Sequence, residues 1–135
     1  MLRWVIAGEL ARDCQPGSPK EHHLLATREE VEAWIEAVKR FQIQSLLCLQ
    51  SREPLMLKAS RPINLLAYYR QHGFQVIHLP ARACPQPPFS PERLQHLWTA
   101  YLSLPKPVLV NDSASRRPTR QAIDYILQCR AELGE

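Results

Sequence analysis

Residue types able to do chemistry gather in one stretch, KPVLVNDSASRRPTR, residues 106 to 120. The apolar run PVLV ends in Asn111 and Asp112. Ser113 and Ser115 then add hydroxyls around Ala114, and Arg116, Arg117 and Arg120 bring three cations within five residues. A strand that runs into a helix presents backbone N–H groups at the helix start, and in open α/β sheets ligands sit there, outside the carboxyl ends of strands. Residues 111 to 120 are therefore the candidate site, and holding an anion is the chemistry their types suggest. The competing reading is that the arginines are solvated and pair with Asp112 or neighbouring acids. A helix N-terminus favours a carboxylate by roughly 0.3 to 1 kcal/mol, so Asp112 is expected to occupy the anion cradle itself, where its charge repels a phosphate dianion. Aspartate is a nucleophile in some phosphotransfer enzymes, but these pair it with magnesium and a second acid. No such partner lies nearby in the sequence.

Other reactive side chains are dispersed. Cys14, Cys48, Cys84 and Cys129 form no Cys-x-x-Cys pair, which argues against zinc and against a redox motif. Reduced thiols are expected, with Cys48 and Cys129 acting as small buried hydrophobes. Cys84 has nothing basic and no helix terminus beside it to lower its pKa, and reads as a loop thiol. His22 and His23 are adjacent without further ligands at matching spacing, and His72, His78 and His96 are scattered. No metal and no cofactor is expected.

The elements that must position the candidate site follow from periodicity. WVIAGEL reads as a strand, with a long loop from ARDCQPGSPKEHH after it. Thr27 and Glu30 form a capping box ahead of Val31, Trp34, Ile35 and Val38, a helix running to Phe41. IQSLLCLQ is a buried strand. INLLAYYRQHG is a helix stopped at Gly73, and FQVIHLP is a strand. Prolines stiffen the loop between Pro80 and Ser90. Ser90 caps a helix that has Pro91 at its first position and an apolar face of Leu94, Leu97, Trp98, Tyr101 and Leu102. PVLV is a short strand, and QAIDYILQCRAEL is the final helix. This alternation predicts an α/β fold, a mostly parallel sheet with helices on both faces.

The stretch KPVLVNDSASRRPT resembles the catalytic loop of the cysteine-dependent dual-specificity phosphatases, a strand ending in His-Cys, five residues, then Arg and Ser or Thr. WVIAGELARDCQPG, IQSLLCLQ, LLAYYRQHGFQVIHLP and PPFSPERL also resemble the small members of that family, so the likeness spans nearly the whole chain. It implies a single-domain phosphatase-like fold with a shortened C-terminus, since members continue with further helices. It also implies that the nucleophile position falls on Asp112, the preceding His on Asn111, the central Gly on Ser115, the phosphate-gripping Arg on Pro118 and the general acid on Ala83. Ser113, Ala114 and Thr119 still match. A thiolate attacks phosphorus, a planar guanidinium grips two oxygens, and a carboxylic acid protonates the leaving group; each of these is replaced. Shifting the register so that Asn111 takes the nucleophile place puts Arg117 where the family's Arg belongs, which rescues binding at most, because an amide forms no phosphoenzyme.

With 135 residues, 45% hydrophobic and 22% charged, the chain is expected to be one domain over 1–135. The formal charge of +4 is scattered, so nucleic acid is not indicated. No apolar window suits a membrane, and a cytoplasmic protein is expected. The function expected is that of a pseudophosphatase, catalytically inactive, acting as a regulatory or protein-binding module. The alternatives are a sensor of a small anionic or phosphorylated ligand at Asn111–Arg117 and a hydrolase with non-standard active-site residues. A shortened C-terminus that leaves apolar surface exposed is compatible with a homo-oligomer.

Overall fold

Arg3–Ile6 forms strand β1, Gly8 takes a left-handed φ of 74° at the reversal, and Leu10–Cys14 returns as β2, antiparallel to β1. The computed structural model describes residues 2–14, 26–49, 56–58, 63–82, 86–112 and 117–133. The sequence predicts a loop from Ala11 onward, but residues 11–14 are strand. Leu10 and Ala11 are fully buried, and β2 pairs in register with a strand almost a hundred residues downstream. That long-range pairing outweighs the turn-forming content of the segment.

Ala26–Thr27 is β3 and Arg28–Arg40 is helix α1. Its expected capping box is present: Glu30 N–H donates to Thr27 Oγ1 at 3.1 Å, and Thr27 N–H donates to the Glu30 carboxylate at 2.8 Å. Ser45–Cys48 is β4, Met56–Lys58 is β5 and Ile63–Asn64 is β6. Helix α2 covers Leu65–Gln71 and gives way to Gly73, whose φ of 96° reverses the chain as expected, before β7 at Gln75–His78. Pro91–Ser103 is α3, with Ser90 Oγ accepting from Arg93 N–H at 3.2 Å. Val108–Asp112 is β8 and Arg117–Glu132 is α4. Helix α4 starts earlier than the apolar pattern suggests. Pro118 sits in its first turn, where a missing N–H costs nothing.

The main sheet has the order β1-β2-β8-β4-β7, parallel except for the β1 edge. A small second sheet, β3-β5-β6, has no counterpart in the periodicity because its strands are only two or three residues long. Alternation along the central strands splits the core in two. Ala11, Leu46, Cys48 and Leu109 face α1 and α2, packing on Val31, Ile35, Val38, Leu65 and Tyr69. Leu10, Leu47, Val108 and Val110 face α3 and α4, packing on Leu97, Tyr101, Ala122 and Ile126. The α/β class with helices on both faces therefore holds. Leu102 departs from the expected apolar face of α3: it is 55% exposed, because Leu97 and Tyr101 turn the helix's buried side away from it. Cys129 is half-buried where a buried thiol was expected, since Ala122 and Ile126 take the sheet-facing positions of α4.

Glu9 ties the β1–β2 turn to the far face. Tyr101 OH donates to Glu9 Oε2 at 2.5 Å, and Arg130 donates to both carboxylate oxygens at 3.2 Å. The Tyr101 hydrogen bond, helped by the Arg130 charge and opposed by burial, holds the Glu9 carboxyl below its ordinary 4.5. Burial and the adjacent carboxylate push the Tyr101 phenol up. A carboxyl with a lowered folded pKa contributes stability above its unfolded value and loses it as pH falls through the folded one. Glu9→Gln is therefore expected to flatten stability against pH between about pH 6 and 3. At neutral pH it should cost up to roughly 1 kcal/mol, a modest figure because water screens the partly exposed pair. Urea midpoints measured across that range check both.

Candidate functional site

The chain runs from β4 through α2 out to the edge strand β7, then returns through α3 to enter the sheet on the other side of β4 as β8. Neighbouring β4 and β8 are thus followed by helices on opposite faces, α2 on one and α4 on the other. Such a reversal opens a crevice outside the carboxyl ends of the two strands. Asn111 and Asp112 end β8 there, and Cys48 ends β4, paired in register with Asn111. Leu49 N–H donates to Asn111 O at 2.9 Å, closing the pair.

Asn111 is fully buried, and neither its Nδ2 nor its Oδ1 has a hydrogen-bond partner. Two-residue alternation from Leu109 turns it toward α1 and α2, the side of Cys48 and Tyr69. The Tyr69 hydroxyl is likewise buried and unpartnered, its ring 5.4 Å from that of Trp34. Burial, and then the Cys48 sulfur, raises the Tyr69 phenol well above its ordinary pKa. Burial pushes the Cys48 thiol up to about 12, so at neutral pH it carries its proton and is no nucleophile. Three polar side chains thus lie on one side of the sheet under the crevice, in an apolar setting. Asn111 was singled out by sequence for its place in the motif. Tyr69 and Cys48 were not, because only strand register sets 48 beside 111 and only the packing of α2 sets 69 on the same face.

Asp13 was also missed. It is the register partner of Asn111 on β2, as Cys14 is of Asp112, so an acidic residue does stand beside the motif although none is near in sequence. Among the described residues no group of three or more His, Cys, Asp or Glu is placed to hold a metal ion.

The proline-rich loop folds against the start of α4. Gln121 accepts from Phe89 N–H at 2.9 Å and donates to Phe89 O at 3.3 Å. Arg117 Nη2 donates to Gln86 O at 3.0 Å. Arg82 and Arg93 fix the other flank through the carbonyls of Pro87 and Pro80, at 3.0 and 3.1 Å. The two segments that sequence marked as neighbours of one site are thus joined. Arg117 is an exposed strut between them, not a residue turned inward. Thr119 is buried at 4% exposure, and Pro118 is half-buried. Ser113, Ala114, Ser115, Arg116, Ala83, Cys84, His22 and His23 lie outside the described residues.

A scan against protein-family models found no match, and no curated protein matches the chain.

A buried amide with no partner costs about 1 to 3 kcal/mol of desolvation. Replacing Asn111 by an apolar residue of similar size removes that cost. Asn111→Leu is therefore expected to hold or raise the urea midpoint, by about 1 kcal/mol of stability. A loss of that size would show that the amide is satisfied in solution.

Proposed function

We propose that this chain is a catalytically inactive relative of the dual-specificity phosphatases that works as a protein-binding or regulatory module. One observation supports this above the others. Asp112 ends the central parallel strand at the switch-point crevice and a long helix follows, the layout in which a phosphatase would carry its thiolate. A carboxylate there is a poor nucleophile toward a dianion, Pro118 supplies no guanidinium, and the adjoining Cys48 is held protonated. The proline-rich loop clasped onto α4 is the counterpart of the loop that would bring a general acid, and Ala83 stands at that motif place.

Regulation through a partner needs surface more than pocket. Trp4 and Phe41, 37% and 42% exposed, stand edge to face at 6.2 Å beside the β1 edge of the sheet. Exposed aromatics of this kind are the side chains that anchor protein interfaces.

Hydrolysis of p-nitrophenyl phosphate is expected to stay at background, and Asp112→Ala should leave it there. Turnover abolished by Asp112→Ala overturns the proposal. The triple variant Asp112→Cys, Pro118→Arg, Ala83→Asp is expected to recover weak activity at best, since Asn111 and Ser115 still stand where the family's loop has His and Gly. A thermal-shift response to phosphate or sulfate that disappears in Arg117→Ala would favour a sensor of small anions at the loop instead.

A further inference from the structure

Strand β1 is an edge of the main sheet, and among the described residues β2 is its single strand neighbour. The outward backbone N–H and C=O groups of an edge strand are a row that a further strand can pair with. The register shifts between Trp4 and Ile6, where Val5 is the extra residue of a bulge. A bulge interrupts the ladder and bends the strand, so regular pairing is open to a partner along residues 2–4.

Side chains alternate across this edge. Trp4 lies opposite Ala11, on the sheet face that α1 covers, and Leu2 packs into the same layer. Phe41 caps the end of α1 and meets Trp4 edge to face at 6.2 Å, with both rings exposed. The other face carries charge. Arg3 lies directly opposite Arg12. Like charges in that position are destabilising, and among the described residues no carboxylate pairs with either guanidinium. The hairpin's own acids are engaged, Glu9 with Tyr101 and Arg130 and Asp13 in a contact of its own. Lys39 and Arg40, both exposed, add cations in the last turn of α1 next to Phe41.

Charge decides the occupant. A second copy adding through its own β1 would bring a further Arg3 to an edge that already sets two arginines side by side, and like charges on facing strands repel. A strand carrying acids meets that pair as counter-ions, and its alternate side chains fall on the Trp4 and Phe41 rings. We propose that β1 takes up an extended segment of a partner protein in which acidic and apolar residues alternate. The acids face Arg3 and Arg12, the apolar side chains cover Trp4 and Phe41, and main-chain hydrogen bonds along residues 2–4 hold the register. The proposal names the partner for the protein-binding reading above and rests on that reading.

Amide-resolved NMR titration of the full chain with the end-capped peptide Glu-Val-Glu-Val-Glu tests this. Lys-Val-Lys-Val-Lys is the charge control, and a fully N-methylated copy of the acidic peptide is the backbone control. The acidic peptide is expected to shift the amides of residues 2–4 and the Trp4 indole N–H, with both controls weaker by about tenfold or more. Arg3→Glu should weaken the acidic peptide by about tenfold. The same variant should hold or raise the urea midpoint, because a carboxylate opposite Arg12 replaces a like-charge pair with an opposite-charge one; weaker binding then reports the lost contact and not unfolding. Trp4→Ser should weaken the peptide as well. No binding of the acidic peptide, equal binding of the lysine peptide, affinity unchanged by both variants, shifts centred away from β1 and Phe41, or a dimer of the free chain that Trp4→Ser dissolves would each overturn the proposal. Turnover of p-nitrophenyl phosphate overturns the reading of inactivity instead and leaves the peptide result standing.

Discussion

Everything in this fold waits on the insertion of β8 between β2 and β4. Its backbone is paired on both sides, to Leu10–Cys14 and to Ser45–Cys48, and its side chains Val108, Leu109 and Val110 are fully buried. The strand cannot be in place until both neighbours are, and its partners lie 98 and 63 residues away in the first register pairs, Leu10↔Val108 and Ser45↔Val108. Loop closure over such distances is costly, and burial on two faces offsets it. The Glu9 contacts to Tyr101 and Arg130, and the Ser45 hydroxyl donating to Pro105 O at 2.7 Å, reinforce the same long-range junction.

The insertion also creates the two ends of the molecule that carry polar chemistry. At the carboxyl end it turns Asn111 toward Tyr69 and Cys48, three polar groups in an apolar layer. At the amino end it sets Lys106 beside the termini of α1 and α2. A sheet with apolar side chains through its middle leaves these two rims as the places where polar residues reach a cleft. At the carboxyl rim the polar atoms are sealed, with Asn111 and Tyr69 fully buried, whereas at the amino rim Lys39 stands in water. The same topology therefore yields a closed, costly polar cluster at one end and an open pocket lined by Lys39, His72 and Lys106 at the other.

Much of the local structure was legible. The capping box at Thr27, the Ser90-Pro91 start of α3, the reversal at Gly73 and the apolar runs of β4 and β8 are signals carried within a few residues, and each forms where expected. β2 was not legible, because Arg12 and Asp13 look like turn residues until β8 is there to pair with them. The Leu102 position misled for the opposite reason: helical spacing allows it on the apolar face, but which stripe is buried depends on where the sheet lies. For the site, residue types marked 111 to 120 correctly as the strand-to-helix junction, while Asp13 and Cys48 entered only through register and Tyr69 only through the packing of α2 on the sheet.

The sequence by itself determined the alternation of strands and helices, their caps, and the residue types at the β8-to-α4 junction, because these depend on residue identity and short-range spacing. Only the tertiary structure decided that β8 lies between β2 and β4, that Arg117 spans to the proline-rich loop, and that Lys39, His72 and Lys106 share one cleft. Those facts rest on strand order and on which face each helix covers, and contacts between residues far apart in the chain leave no periodic trace in it.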